Sequence, residues 1–184
     1  MKAVFVDKEG ALVDGAGAPR FTLASGAGPA LRLLSRLDYR LFVVSDQRAI
    51  AHGKADEDAM AALSHRLADL LFRERLTLDG FYYCPHHPDG TVARYAVDCF
   101  CRKPQPGMLL KAAREREIDL RASWLIGASL HDVEAGNRAG CRTLLIDNGT
   151  ESEWRLGPRR VPTRIAPDLY AAAVLIAAEG EQRR

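Results

Sequence analysis

The segment Ala-Val-Phe-Val-Asp-Lys-Glu-Gly, residues 3–10, is a short apolar run that leads into charged residues and a glycine. Comparable apolar runs follow along the chain, at residues 41–44, 80–83, 124–126 and 143–146. Stretches with a helical pattern of apolar residues separate them. This alternation is typical of a parallel sheet that helices cover on both faces. The sequence therefore predicts an α/β protein with a Rossmann-like, three-layer, doubly wound sheet and the first strand in its middle.

Apolar residues at helical spacing predict the helices that cover this sheet. Two stripes are expected to face the core, and they consist of Leu31, Leu34 and Leu37 and of Met60, Leu63, Leu67, Leu70 and Leu71. Pro104 and Pro106 come just before a third helix and Gly140 just after a fourth, which are favoured places for these residue types. A last helix is expected at about residues 167–178, after a loop.

The composition is that of one soluble domain, which we expect to extend over residues 1–184. Of the residues, 47% are hydrophobic and 27% are charged. Lys and Arg total 26 against 24 Asp and Glu, and because most of them are scattered, nothing indicates a nucleic-acid partner. No apolar stretch is long enough for a signal peptide core or a membrane span, so we expect a cytoplasmic protein without a membrane partner. A monomer is the default expectation for its oligomeric state.

Polar residues follow the predicted strands at the edge where open parallel sheets bind their ligands. They are Asp7, Lys8 and Glu9 after the first strand, Ser45, Asp46 and Gln47 after the second, Lys103 before the third helix, and Asp132 after the fourth strand. A carboxylate nucleophile, a hydroxyl, an ammonium and further carboxylates for magnesium suit phosphoryl transfer. Any one of these residues alone could simply cap a helix or end a strand, but their joint occurrence favours one shared crevice.

The order of these motifs is similar to that of the haloacid-dehalogenase (HAD) superfamily. The matching elements are Asp-x-acid-Gly at residues 7–10, Val-Val-Ser-x-Gln at 43–47, Arg-Lys-Pro at 102–104 and Ile-Gly-(x4)-Asp at 126–132. Two further segments, Tyr-Tyr-Cys-Pro-His-His-Pro-Asp-Gly and Cys-Phe-Cys-Arg-Lys-Pro-Gln-Pro-Gly-Met, resemble one branch of it, within subfamily IIIA; they are residues 82–90 and 99–108. That branch comprises the D-glycero-D-manno-heptose 1,7-bisphosphate phosphatases and the related histidinol-phosphate phosphatases.

This resemblance implies a phosphomonoesterase that acts on a phosphorylated sugar or a similar small metabolite. It implies Asp7 as the nucleophile that becomes an aspartyl phosphate, and Glu9 as the acid that protonates the leaving oxygen and then activates water. The residues expected to bind phosphate or the rest of the substrate are Ser45, Asp46, Gln47, Arg102 and Lys103. Magnesium is expected at Asp7, Glu9 and Asp132. The short spacing of the motifs leaves no room for a cap domain.

Three positions depart from the pattern of that family. Glu9 stands where the family has aspartate, and its extra methylene moves the carboxyl group by about an ångström. Asp46 stands in place of the usual asparagine and adds negative charge near an incoming phosphate. Ala128 occupies the place of a magnesium-binding aspartate and offers no oxygen ligand. The sequence therefore leaves a second function open, that of a catalytically impaired relative that binds a phosphorylated ligand or a protein partner.

A Cys-x-His pair and a Cys-x-Cys pair predict a zinc-binding loop at residues 84–101. Reduced thiols in a chain without an export signal favour a metal site over a disulfide framework, and three sulfurs with one imidazole suit a structural zinc ion. His87 competes with its neighbour as the imidazole ligand, but the spacing of the resembling family favours the set Cys84, His86, Cys99 and Cys101. A redox-active pair of Cys99 and Cys101 is a weaker alternative, because reactive pairs usually have the spacing Cys-x-x-Cys.

Overall fold

The computed structural model describes residues 1–15, 21–149, 151, 154–155 and 157–181 of the chain. The strands in these ranges are β1 (Ala3–Asp7), β2 (Val13–Asp14), β3 (Thr22–Leu23), β4 (Arg40–Asp46), β5 (Gly80–Cys84), β6 (Trp124–Gly127), β7 (Arg142–Ile146) and β8 (Arg164–Ala166). The α-helices are α1 (Ala27–Arg36), α2 (Arg48–Ala51), α3 (Glu57–Arg73), α4 (Gly107–Arg116), α5 (Leu130–Ala139) and α6 (Leu169–Glu181).

A sheet of six strands in the order β5-β4-β1-β6-β7-β8 forms the centre of the protein. All of its strand pairs are parallel, and Val6 of β1 aligns with Val43 of β4 and with Ile126 of β6. The predicted doubly wound sheet with the first strand in its interior is therefore confirmed. The sequence did not predict β8, because two of its three residues are exposed and it has no apolar run of its own.

Side chains alternate between the two faces of the sheet, as the twofold period of a strand requires. Val4 and Val6 of β1 belong to a core that includes buried residues of α1, α3 and α6. Ala3 and Phe5 of the same strand belong to a second core, which includes buried residues of α4 and α5. Since both faces are covered, the interior strands are apolar over most of their length, which explains the continuous apolar runs in the sequence.

The two predicted helical stripes lie on α1 and α3, except that Leu37 follows the last residue of α1. Their buried members are Leu31, Leu34, Met60, Leu67 and Leu71, whereas Leu37, Leu63 and Leu70 are only partly buried. The short antiparallel pair β2-β3 and the one-turn helix α2 were not predicted. Both are too short to show a hydrophobic period.

The carboxyl ends of β1, β4 and β6 meet at one edge of the sheet, where Asp7, Asp46 and Gly127 are the last strand residues. Connections to both faces diverge at this point, which is where open α/β sheets bind ligands. Among the described residues, no folded insertion covers this edge, and no helix has both the length and the apolar character needed to cross a membrane.

Replacement of Leu67 by Ala tests the packing of α3 on the sheet. The Leu67 side chain is fully buried, so Leu67→Ala should lower the free energy of unfolding by about 2–5 kcal/mol. Leu110→Ala is the matched control, because Leu110 on α4 is 38% exposed and its loss should cost less than about 1 kcal/mol. Urea unfolding of both variants measures the difference, and equal losses would contradict this packing.

Candidate active site

The ammonium group of Lys103 lies between two carboxylates at the centre of the crevice. Its Nζ is 2.6 Å from Oδ1 of Asp7 and 2.6 Å from Oδ1 of Asp132. All three side chains are buried, with exposed fractions of 8%, 11% and 2% for Lys103, Asp7 and Asp132. Residues that lie far apart in the sequence thus form one compact charged group.

Asp132 is held in place by the first turn of α5. Ser129 precedes this helix, and its side chain and that of Asp132 form a reciprocal capping box. Oδ2 of Asp132 accepts hydrogen bonds from the Ser129 backbone N–H at 3.1 Å and from its hydroxyl at 2.7 Å. The carboxylate also packs against Gly127, where any Cβ atom would overlap it. Glycine is therefore required before this turn.

The residues after β4 form the wall of the crevice beside Lys103. Ser45 is almost fully buried, and its Oγ accepts a hydrogen bond from Nε2 of Gln47 at 2.6 Å. Oδ1 of Asp46 accepts a hydrogen bond from the backbone N–H of Lys103 at 3.3 Å. Asp46 therefore fixes the backbone from which the Lys103 side chain reaches Asp7.

Negative charge exceeds positive charge in this group. Burial raises the pKa of Asp7 to about 7, and the nearby charge of Asp132 adds to this effect, although Lys103 opposes it. Burial also raises the pKa of Asp46. Burial alone would lower the pKa of Lys103, but the charges of Asp132, Asp7 and Asp46 outweigh it and the pKa is raised. The site is thus suited to a further cation.

Glu9 does not join this group. Its carboxylate is 2.9 Å from Nζ of Lys8, and its side chain is 48% exposed, whereas that of Lys8 is 7% exposed. Arg102 is half-buried, and its backbone N–H donates to Sγ of Cys99 at 3.2 Å. Because its side chain is this exposed, Glu9 lies at the mouth of the crevice.

The donor set fits a magnesium ion with fewer protein ligands than the resemblance implied. Magnesium in phosphoryl-transfer sites is usually held by one or two carboxylates together with phosphate oxygens and water. Asp7 and Asp132 supply two carboxylates, and the excess of negative charge favours a cation. Ala128 is 6% exposed and supplies no oxygen from its side chain. Two carboxylates could thus hold the ion, without help from position 128.

Four metal-ligating side chains converge in the loop between β5 and α4. They are Cys84, His86, Cys99 and Cys101, and one donor atom from each lies within 4.8 Å of the others. The sulfur of Cys101 is 3.1 Å from that of Cys84, 3.3 Å from that of Cys99 and 3.3 Å from Nδ1 of His86. A tetrahedral zinc ion with Zn–S bonds of about 2.3 Å needs donors at nearly this spacing.

His87 points away from this cluster. Its Nδ1 accepts a hydrogen bond from the backbone N–H of Asp89 at 3.2 Å, and its ring packs beside that of His52 at 5.2 Å. Of the two candidate histidines, only His86 lies among the thiols.

Backbone hydrogen bonds connect the predicted zinc-binding loop, residues 84–101, to the crevice. The carbonyl of Cys84 accepts a hydrogen bond from the N–H of Gln47 at 2.8 Å. The carbonyl of Phe100 accepts one from the N–H of Gly107 at 2.9 Å, and a Cβ atom at position 107 would overlap this loop. These contacts connect the cluster to the segments that carry Ser45 and Lys103.

Two residues of the site were given no specific role in the sequence analysis. Lys8 is 5% exposed and pairs with Glu9. Ser129 orients Asp132, and the spacing Ser-x-x-acid before a helix was the signal that could have revealed it.

Comparison with known proteins agrees with this geometry. Residues 100–172 match a family model described as HAD-hydrolase-like. A D-glycero-β-D-manno-heptose-1,7-bisphosphate 7-phosphatase from Photorhabdus laumondii is 40% identical over 148 residues, which are 78% of this chain and 79% of that protein. A HAD-like protein from Mesorhizobium loti has a TM-score of 0.80 at 29% identity, over 96% of this chain and 87% of that one.

The D,D-heptose 1,7-bisphosphate phosphatase from B. bronchiseptica, solved with magnesium and phosphate, has a TM-score of 0.77 at 26% identity. The alignment covers 97% of this chain and 99% of that one. The fold and the buried charged group together define the HAD-like class of hydrolases. Within that class, the chain belongs to the family of D-glycero-β-D-manno-heptose-1,7-bisphosphate 7-phosphatases.

The raised pKa of Asp7 predicts how stability depends on pH in buffer without magnesium. Between the ordinary value of 3.8 and the folded value of about 7, Asp7 holds a proton in the folded state and not in the unfolded state. The folded state then binds more protons, so stability must fall as the pH rises through this window. Asp7→Asn removes the titrating group and should flatten that fall.

Urea unfolding near pH 5 and pH 7 measures this effect. From pH 5 to pH 7, the free energy of unfolding of wild type should fall by about 1–3 kcal/mol more than that of Asp7→Asn. Asp14→Asn is the control, because Asp14 is exposed at the end of β2. An Asp7→Asn variant with the same pH dependence as wild type would show that Asp7 is ionised throughout.

Proposed function

We propose that the chain is a phosphomonoesterase that removes one phosphate group from a phosphorylated sugar, with D-glycero-β-D-manno-heptose 1,7-bisphosphate as its expected substrate. The observation that carries this proposal is the position of Lys103, 2.6 Å from both Asp7 and Asp132 at the carboxyl edge of the sheet. An ammonium beside a nucleophilic carboxylate can hold the phosphate oxygens during attack. The name of the relative from Photorhabdus laumondii supports the choice of sugar.

Asp7 is the nucleophile in this proposal. Its Oδ2, the oxygen that Lys103 does not contact, attacks phosphorus, and the bond from phosphorus to the sugar oxygen breaks. The sugar oxygen takes a proton as it leaves, and an aspartyl phosphate remains. Water then attacks phosphorus, the bond to Asp7 breaks, and inorganic phosphate and the free carboxylate are formed. Ser45 and Lys103 hold the phosphate oxygens in both steps.

Glu9 supplies the proton to the leaving oxygen and takes one from the attacking water. Its side chain is 48% exposed, so it is free to turn from Lys8 toward a bound sugar. The ion pair with Lys8 has to be exchanged for this new contact. Arg102, which is half-buried and precedes Lys103 in the sequence, would contact the rest of the substrate.

Asp7 and Asp132 would hold a magnesium ion, which when bound would reduce the negative charge on the phosphate and favour attack by a carboxylate. The solved relative from B. bronchiseptica that contains magnesium and phosphate supports this assignment.

A second candidate function is the binding of a phosphorylated ligand without turnover. Ala128 and the exposed pairing of Glu9 with Lys8 favour it, since both remove groups that the reaction uses. In that case the crevice would still attract phosphate through Lys103.

Phosphate release from D-glycero-β-D-manno-heptose 1,7-bisphosphate separates the two functions. A phosphatase should release phosphate in the presence of magnesium, and Asp7→Asn should abolish this release while Asp14→Asn leaves it unchanged. Saturable binding of the bisphosphate without any release would favour the binding function instead.

A carboxylate at position 128 should increase the rate of phosphate release. We expect Ala128→Asp to raise both magnesium affinity and the rate of phosphate release by about tenfold to a hundredfold, because it adds an oxygen ligand beside Asp132. His131→Asp is the control, since it adds the same charge at an exposed position of α5. Steady-state rates over a magnesium titration give the result, and no gain over His131→Asp would mean that position 128 lies outside the metal site.

The zinc-binding loop is the second part of the proposal. Cys84, His86, Cys99 and Cys101 would bind one zinc ion, and because all four positions are filled by protein, the ion would be structural. The contact with Cys84, with smaller contributions from Cys99 and His86, lowers the pKa of Cys101 to about 5, whereas the pKa values of Cys84 and Cys99 are raised, so the cluster favours one thiolate. Thiolates are the form of cysteine that binds zinc.

Metal analysis of protein purified without chelators tests the zinc site. We expect about one equivalent of zinc, and we expect a Cys99→Ser, Cys101→Ser double variant to lose the metal and to melt about 5–10 °C lower. Cys141→Ala is the control, because Cys141 is buried outside the cluster and should not affect zinc content. Less than about a tenth of an equivalent in wild type, with unchanged melting of the double variant, would rule out the site.

A further inference from the structure

A second cavity lies between α5 and the segment that follows β7. Its volume is about 470 Å³, and its charged lining residues are Glu134, Arg138, Arg155, Arg159 and Arg160. We call it the arginine pocket. It shares no lining residue with the charged group at Lys103, so it is separate from the crevice.

Positive charge predominates in the arginine pocket. Four guanidinium groups and one carboxylate give a formal charge of four minus one, or +3. Glu134 is 8% exposed, and its Oε1 accepts from Nε and Nη2 of Arg138 at 2.9 and 2.6 Å. Its Oε2 accepts from Nε of Arg160 at 2.7 Å. The one carboxylate is thus fully engaged and cannot neutralise the other arginines.

Donor groups in the pocket remain unused. Each guanidinium carries five N–H groups in a fixed planar fork that matches the oxygens of phosphate. Among the described residues, no acceptor lies within hydrogen-bond distance of the side chains of Arg155 and Arg159, and both residues are exposed. An anion entering the pocket would therefore meet free donors.

The backbone that carries Arg159 and Arg160 is hydrogen-bonded to α5 and to its own turn. Nδ2 of Asn137 on α5 donates to the carbonyls of Arg159 at 2.9 Å and of Val161 at 3.0 Å. The N–H of Arg160 donates to the carbonyl of Gly157 at 2.9 Å. Because residues 159–161 are held to α5, binding at Arg159 and Arg160 would order only their side chains, which lowers its entropic cost.

We propose that the arginine pocket binds a small molecule that carries linked phosphate groups. A charge of +3 exceeds what a single carboxylate would balance, and a volume of about 470 Å³ lies in the range of small-ligand sites. Linked phosphates offer several oxygens to arginines that approach from different sides. This site is independent of the reaction proposed at Asp7.

Inorganic pyrophosphate is the probe for this proposal, and the full chain carries its own reporter. Of its two tryptophans, Trp124 is fully buried, whereas Trp154 is 52% exposed and directly precedes Arg155. Titration at constant ionic strength should give a saturable change in tryptophan fluorescence. A Trp154→Phe variant should lose this signal but keep the heat of binding in calorimetry.

Three variants place the binding site. An Arg155→Ala, Arg159→Ala double variant should bind pyrophosphate about tenfold more weakly or worse, because it removes two unpaired guanidiniums. An Arg73→Ala, Arg121→Ala double variant is the charge-matched control on exposed positions elsewhere, and it should bind as wild type does. Ser45→Ala removes a phosphate-binding hydroxyl from the crevice without leaving a buried charge unpaired, and it should retain binding at the arginine pocket. Absence of saturable binding, equal weakening in both double variants, or loss of the signal in Ser45→Ala would overturn the proposal.

Discussion

The contact of Lys103 with Asp7 and Asp132 is the interaction on which the arrangement of the crevice depends. Burying a charge destabilises the folded state unless the charge is paired, and removing one partner of a buried pair strongly destabilises the protein. The single ammonium compensates carboxylates from β1 and α5, and the backbone of Lys103 is held by Asp46 after β4. The side chain of Lys103 therefore joins β1 to α5, and its backbone joins both to the end of β4.

The position of Lys103 depends in turn on the loop that ends just before it. Cys99 accepts a hydrogen bond from the backbone of Arg102, and Cys84 accepts one from the backbone of Gln47, whose side chain reaches Ser45. The residues expected to hold phosphate are thus attached on both sides to the cysteine cluster. A metal ion in the cluster would act on the reaction only indirectly, by keeping these backbone segments in place.

Much of this arrangement could be predicted from the sequence, because it follows from patterns that are local. Apolar runs mark the buried strands, and the polar residue after each run has to lie at the same edge of a parallel sheet. The convergence of Cys84 with Cys99 and Cys101 could also be predicted, because the types of these residues and their spacing are typical of a zinc site.

Other features depend on tertiary contacts that no local pattern encodes. The pairing of Glu9 with Lys8 depends on which of the two side chains the crevice buries, and the sequence does not show that Lys8 is buried while Glu9 is exposed. The arginine pocket requires Glu134 on α5 to meet Arg160, 26 positions later in the sequence. The strand β8 is recognisable only by its pairing with β7, because its residues are mostly exposed.

The central claim is that Asp7 is phosphorylated during turnover, despite the loss of a carboxylate at position 128. Reduction of the protein with borohydride during turnover of a phosphate monoester tests it most directly, since this reagent converts an aspartyl phosphate to homoserine. Mass analysis of the peptide that contains residue 7 should then find homoserine in place of Asp7. Phosphate release with Asp7 unmodified, or a protein that neither releases phosphate nor is modified, would contradict the account.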